Sequence, residues 1–182
     1  MEHSAIEHTK AWVEQIVIGL NLCPFAGNPF RNQLIRYRYS DADTHELLLK
    51  HLIEEILLLT EKSYAELETT LLIHPGVLQS FEDYNAFASN LELIIDELGF
   101  TGVYQIAEFH PQYQFAETRP EDVQNYTNRS PYPMLHLLRE ERVESALKSY
   151  PDTQNIPEIN IKTMESLGVR KIREILRRIK GA

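Results

Sequence analysis

Ile6, Trp12, Val13, Ile16, Val17 and Leu20 recur at the three-to-four-residue spacing that puts apolar side chains on one side of a helix. Ser4 and Glu7 just ahead of them have the S-x-x-E spacing of a capping box. Gly19 and Asn21 bring this first helix to an end, and NLCPFAGNPF follows as a loop punctuated by proline and glycine. Period two then replaces period 3.6. In QLIRYRY, 33–39, Ile35, Tyr37 and Tyr39 face one way while Leu34, Arg36 and Arg38 face the other, as in a strand. A long helix is predicted over 42–62, with Leu48, Leu52, Ile56 and Leu59 on its buried stripe.

TTLLIHP, 69–75, is a short apolar run that stops at His-Pro and reads as an interior strand. Ser80 and Asp83 cap the next helix, whose stripe is Phe81, Tyr84, Phe87, Leu91, Ile94, Ile95 and Leu98, and Gly99 stands where a left-handed terminal residue belongs. GVYQIAEFHP, 102–111, is a third strand, and it too stops at His-Pro. About twenty residues of little regular pattern follow; segments of that length in a compact domain are usually functional or mobile. A helix is predicted over 130–149 with Ser130 as its N-cap, and two helical stretches finish the chain.

Strands alternating with helices imply right-handed crossovers between parallel strands. The expected fold is therefore α/β: a small, mainly parallel sheet of three or more strands flanked by helices, with a helical C-terminal part. A ferredoxin-like α+β arrangement is the rival. At 182 residues the chain has room for one real core, so 1–182 is read as a single domain. Hydrophobic content of 43% and charged content of 25% are ordinary for a globular protein. No run of apolar residues is long enough for a transmembrane helix. The start, MEHSAIEHTK, lacks the basic-then-apolar order of a secretory signal, and Cys23 is the single cysteine, so a cytoplasmic setting is expected. A net charge of −9 argues against bulk affinity for nucleic acid or acidic membranes. Residues 169–182 run against that balance, with six bases and one acid. Val169, Ile172, Ile175, Leu176 and Ile179 there read as the packed stripe of a surface helix, and a protein partner docking on basic helix 169–180 is the second reading.

Chemistry concentrates at a few places. His74 and His110 each end a strand and precede proline. If those strands are parallel, both imidazoles lie at the carboxyl edge of the sheet, where ligands of open α/β sheets bind, and either titrates in the range of a general acid or base. In NYTNRSPYPMLHLLRE, Pro131 and Pro133 would remove donors from the start of the predicted helix. Any anion there would fall to Arg129 and to the side chains of Asn125, Thr127 and Asn128. On a wheel of about 100° steps, Leu135, Val143, Ala146, Leu147 and Tyr150 form the buried stripe, Arg139 falls within it, and His136 and Arg142 lie at its borders. An inward guanidinium needs an anion, either an internal one such as Glu108 or Glu117 or a ligand's carboxylate or phosphate. Arg36, Arg38 and Arg119 are further candidates. Cys23, after a helix C-terminus and beside Leu22, Pro24 and Phe25, reads as a buried inert thiol. Cys23, His74, His110 and His136 are also a legal zinc set, though no short pair among them has metal-ligand spacing. No G-x-G-x-x-G, G-x-x-x-x-G-K-[ST] or G-x-S-x-G motif occurs, so nothing points to a nucleotide or a serine-hydrolase elbow.

NLCPFAGNPF, FHPQYQFA and NYTNRSPYPMLHLLRE together resemble a family described only as a domain of unknown function (DUF1415), found in bacteria and in some plant proteins. The resemblance spans nearly the whole chain and implies one intact domain; it transfers no activity. The expectation is thus an Arg/His-lined pocket for an anionic small molecule, with His110 or His74 as acid–base group, Arg129 and Arg139 holding the anion, and Asn125, Asn128 and His136 orienting it. Whether such a protein is an enzyme, a zinc protein or a non-catalytic partner-binding domain stays open at this level.

Overall fold

The computed structural model describes residues 1–149 and 153–181. Helix α1 (Glu2–Trp12) runs on as a π-helical segment, Val13–Ile18. Short α2 (Gly27–Arg31) leads to β1 (Ile35–Tyr39), α3 (His45–Glu61) and β2 (Thr69–Ile73). Then come α4 (Phe81–Ala88), α5 (Leu91–Glu97), β3 (Tyr104–Phe109), a 3-10 turn at Val123–Thr127, and β4 (Met134–Arg139). Helices α6 (Glu140–Ser149), α7 (Ile156–Leu167) and α8 (Val169–Ile179) complete the order.

Several boundaries follow local chemistry. Ser4 lies inside α1, which starts at Glu2 without a side-chain cap, so the S-x-x-E pair is not the helix start. Thr44 caps α3 by accepting from the Leu47 amide at 3.2 Å. Ser80 caps α4 in the same way through the Asp83 amide, as its position suggests. The single helix expected over 80–98 is two. Ser89 Oγ and Asn90 Nδ2 both donate back to Ala86 O, at 2.8 and 2.9 Å, and this competition with the helical ladder breaks it there. Gly99 has φ +78°, the left-handed conformation its place required.

The sheet order is β1-β2-β4-β3. β1 and β2 are parallel, whereas β4 is antiparallel to both β2 and β3. The sheet is therefore mixed and mostly antiparallel, which corrects the mainly parallel expectation. The source of the error is residues 134–139. They form a central strand, not the first turns of a helix. Met134, Leu135 and Leu137 are fully buried because helices cover both faces, so the run lacks the alternation of a half-exposed strand. It passes directly into α6, and the helical spacing beyond Glu140 extends misleadingly back into it. No residue of α6 is buried, so the stripe expected through Val143, Ala146 and Leu147 does not exist; Tyr150 lies outside the described residues.

Two apolar layers sandwich the sheet. On one face Leu48, Leu52 and Ile56 of α3, with Tyr84 and Ile95, pack on Leu72, Leu135 and Leu137. On the other, Trp12 and Ile16, with Met164 and Ile172 of the C-terminal helices, pack on Leu71 and Met134. Helices on both faces exclude the ferredoxin-like rival, which keeps them on one side. The stripe of α8 packs as its spacing predicted: Ile172 and Ile179 are buried, and Val169, Ile175 and Leu176 lie against the same core. No helix among the described residues is long and apolar enough to cross a membrane.

Candidate functional site

Because β2 and β3 both pair antiparallel with β4, they point the same way, and His74 and His110 emerge at one edge of the sheet with β4 between them. That edge is closed. Both imidazoles are 0% exposed. The turn after β2 holds them through its carbonyls: His74 Nδ1 bonds Val77 O at 3.2 Å, and His110 Nε2 bonds Leu78 O at 3.2 Å. Gly76 allows the turn to sit tightly, since a Cβ there would come within 2.7 Å of Ala42 O. Tyr84 stacks on His74 with ring centroids 5.9 Å apart, and Phe81 and Tyr84 both lean on His110. Tyr84 also ties the strands together, donating to Met134 O at 2.9 Å and accepting from the Phe109 amide.

The protonation states follow from these partners. The Gln112 amide donates to His110 Nδ1 at 3.0 Å, so the ring is neutral with its proton on Nε2, and both nitrogens are satisfied. Burial lowers its pKa, against the opposing pull of the Leu78 and Gln79 carbonyls. His74 donates through Nδ1, which leaves Nε2 as a buried lone pair with no partner among the described residues. Burial, reinforced by the charge His110 would carry, brings the His74 pKa down to about 4. Glu108, half-buried beside Tyr84 and Tyr113, has its carboxyl pKa raised by burial.

The predicted anion-binding residues hold the fold's own backbone. Arg129 donates from Nε to Tyr113 O at 3.1 Å and from Nη2 to Pro120 O at 2.6 Å, with its guanidinium 4.3 Å from the Tyr126 ring centre. Asn125, 0% exposed, accepts from the Phe115 amide and Thr118 hydroxyl and donates to Arg119 O. Asn128 donates to Glu108 O. These bonds pin the long connection between β3 and β4 from within.

Arg139 stands at the far end of β4, beside the start of β2, so a strand length separates it from the histidines. Its Nη2 donates to Leu59 O, Lys62 O and Leu67 O at 2.6, 2.6 and 3.1 Å. What it meets is thus a set of main-chain carbonyls at the C-terminus of α3 and just beyond it, rather than Glu108 or Glu117. His136 lies on the opposite face from His74 and His110, against Phe109, and bonds Thr69 Oγ1 at 2.7 Å. Burial lowers its pKa to about 4. Cys23 follows Leu22, which belongs to that opposite layer, and burial raises its thiol pKa although the Phe25 and Ala26 amides point at the sulfur. The zinc set is not assembled: no group of three or more His, Cys, Asp or Glu among the described residues could hold a metal ion.

The open chemistry lies along β1. A cleft of about 770 Å³ straddles this edge strand, lined by Ile6 and Lys10 of α1, Ile35, Arg36 and Tyr37 of β1, and by Leu58, Lys62 and Glu66 at the end of α3 and just beyond it. Among the described residues its lining carries Lys10, Arg36 and Lys62 with Glu66; Lys10 is paired to Glu7 and Lys62 to Glu66. Arg36 grips Glu55 with two bonds, at 2.8 and 3.2 Å, and Arg38 Nε lies 3.6 Å from the same carboxylate. Glu55 is buried, so two guanidiniums share one counter-ion. Lys10 Nζ lies 5.8 Å from the centre of the Tyr37 ring, whose hydroxyl is buried with no hydrogen-bond partner among the described residues. At the end of β1, Ser40 Oγ meets His51 Nδ1 at 2.8 Å and Asp41 lies 4.0 Å from the other ring nitrogen. Ser40 is 0% exposed and also accepts from the Ala42 amide, so this trio clamps a turn and has no path for a substrate.

The alternating Arg36 and Arg38 were visible in the sequence; Lys10, Lys62, Tyr37 and Glu55 were not singled out. The one available signal was Glu55, a carboxylate on α3's apolar side, one turn from His51 and adjoining Leu52, Ile56 and Leu59. A family described as "Protein of unknown function (DUF1415)" matches residues 4–174. No curated protein and no solved structure matches the chain.

Proposed function

The chain belongs to this family of unknown function (DUF1415), and for it we propose a binding role: the protein holds an anionic partner in the cleft along β1. The observation that carries the reading is the charge of that cleft. In a chain of net charge −9, Lys10, Arg36 and Lys62 converge on one opening; Lys10 pairs with Glu7 at 2.9 Å and Lys62 with Glu66 at 3.4 Å, so the surplus positive charge lies with the arginines. Behind them Arg36 and Arg38 share Glu55, which leaves one guanidinium charge uncompensated at the rim. Arginine's planar fork suits a carboxylate or phosphate oxygen pair there, and the cleft has the volume of a ligand site.

The carboxyl edge supports this reading by contrast. Arg129 and Asn125 spend their donors on loop carbonyls, and a catalytic role for His74 or His110 would require α4 to lift Phe81 and Tyr84 away. The test uses pyrophosphate and citrate as probes, followed by backbone amide shifts. Saturable shifts at Ile35 and Tyr37, with an affinity at least tenfold weaker in a Lys10→Ala/Arg36→Ala variant, are the expected result. Shifts centred instead on His110 and Arg129, or an affinity unchanged in the variant, would discard it.

A further inference from the structure

The floor of the cleft is the unpaired edge of a strand, and the hydrogen-bond parity of β1 shows which groups it offers. In a parallel pair, alternate residues turn both main-chain groups toward the neighbour. Leu34 O accepts from the Thr69 amide at 3.3 Å, and the Ser40 amide donates to Ile73 O at 2.7 Å. The even-numbered residues therefore bond to β2, and the N–H and C=O groups of Ile35 and Tyr37 face away from the sheet into the cleft. The outward carbonyl of Tyr39 is already taken by the Arg38 guanidinium. Proteins usually cover or charge such an edge. Here helices on both faces of the sheet instead raise walls beside it, α1 on one side and the end of α3 on the other.

Resting on the binding role proposed for this cleft, we infer that its occupant is an extended polypeptide segment of another protein, which adds to the sheet as a strand beside β1 and alternates acidic with apolar residues. Main-chain pairing supplies affinity in such strand addition, and alternate side chains supply specificity. Cross-strand neighbours lie about 4.5–5.5 Å apart on the same face. On the α3 side the incoming strand meets Arg36 and Arg38, two cations with one carboxylate between them. Its residues there are acidic. On the α1 side it meets Ile35 and Tyr37, and its residues there are apolar or aromatic.

The same charges select against a second copy of this chain. A two-fold antiparallel pairing centred on Tyr37 sets Arg36 opposite Arg38 twice over. That gathers four guanidiniums around two Glu55 carboxylates, and like charges directly opposite oppose pairing.

Three acetylated and amidated seven-residue peptides test the inference on the unaltered protein. One alternates glutamate with valine and tyrosine. The second is the same composition scrambled to break the alternation. The third keeps the order but is N-methylated at the residues whose amides would face β1. The expected result is at least tenfold tighter binding of the first by fluorescence anisotropy, together with slowed hydrogen exchange at the Tyr37 amide. Equal binding of all three overturns strand addition while pyrophosphate binding in the same cleft upholds the broader reading. Binding of pyrophosphate without any peptide has the same meaning. Failure of pyrophosphate and peptides alike overturns both.

Discussion

Acid should unfold this protein through His74. The imidazole is fully buried, neutral, and stacked on Tyr84, and its pKa falls from 6.5 to about 4 in the folded state. An unfolded chain binds the proton near the ordinary histidine value of about 6.5. Between these two values the unfolded state holds more protons than the folded one, so stability rises with pH across this window. The contribution is fully present above about pH 6.5, declines as pH falls, and is gone below about pH 4. A displacement from 6.5 to about 4, at about 1.4 kcal/mol per unit, amounts to about 3–4 kcal/mol, of which about 2 kcal/mol is lost by pH 5. His110 is displaced in the same direction, and so is His136, so the whole acid limb is steeper than His74 alone would make it. The clean measurement is a difference of differences. Urea unfolding of the protein and of His74→Phe, each at pH 7.5 and pH 5, isolates the one group. The variant loses the bond to Val77 O but also removes the unpartnered Nε2 lone pair. Its stability should therefore fall by about 2 kcal/mol less than that of the parent between the two pH values, whatever its starting stability. An identical pH dependence in the two proteins would show that His74 is protonated, or open to water, in the fold, and would return it to the list of acid–base groups.

Arg139→Ala should cost about 3 kcal/mol, because one guanidinium nitrogen donates to three carbonyls at the end of α3 and just beyond it. In a domain of this size that is a fall in Tm of about 6–12 °C, and pyrophosphate affinity should be unchanged; lost affinity at unchanged Tm would make Arg139 a ligand residue after all. Cys23 should react with iodoacetamide at pH 7.5 at least tenfold more slowly than a free thiol, since burial raises its pKa. A rate equal to or above that of a free thiol would mark it as an activated cysteine.

Much of the architecture was readable from local chemistry. The alternation of 33–39, the apolar run of TTLLI and the stripes of α3 and α8 each correspond to one buried face and one periodicity. What escaped was β4. A strand inserted between β2 and β3 is buried on both sides, so Met134–Arg139 shows an apolar run that suits either a strand or a helix. The misplacement of Arg139 and His136 descends from that one segment. Reading it as a helix put Arg139 near Arg129, whereas the strand carries it to the far end of the sheet. The histidine pair was located correctly at one edge because β2 and β3 do run the same way, but only the tertiary turn through Val77 and Leu78 reveals that the edge is sealed. Nor can a sequence show that β1 lacks a neighbour, since an edge is a property of the assembled sheet.

The arginines of this fold divide by the kind of acceptor they meet, and that division locates the site better than their number does. Arg129 and Arg139 meet carbonyls, which accept their donors and carry no formal charge to cancel theirs. Both residues are at most 9% exposed, so whatever field they add is directed at the backbone they hold. Arg36 and Arg38 meet a carboxylate, but one between two. That pairing removes half the charge and leaves side chains that are 42% and 30% exposed beside an open cleft. A buried guanidinium spent on carbonyls holds a loop, while an undersupplied and accessible pair attracts an anion from solution. Glu55 therefore sets the strength of the site from beneath. Replacing it with glutamine would strip the shared counter-ion from two arginines at once. The cleft would gain affinity for pyrophosphate severalfold, and the contact between β1 and α3 would weaken as the two guanidiniums repel. An affinity that instead fell with Glu55→Gln would mean that the carboxylate's role is to aim Arg36 rather than to offset it.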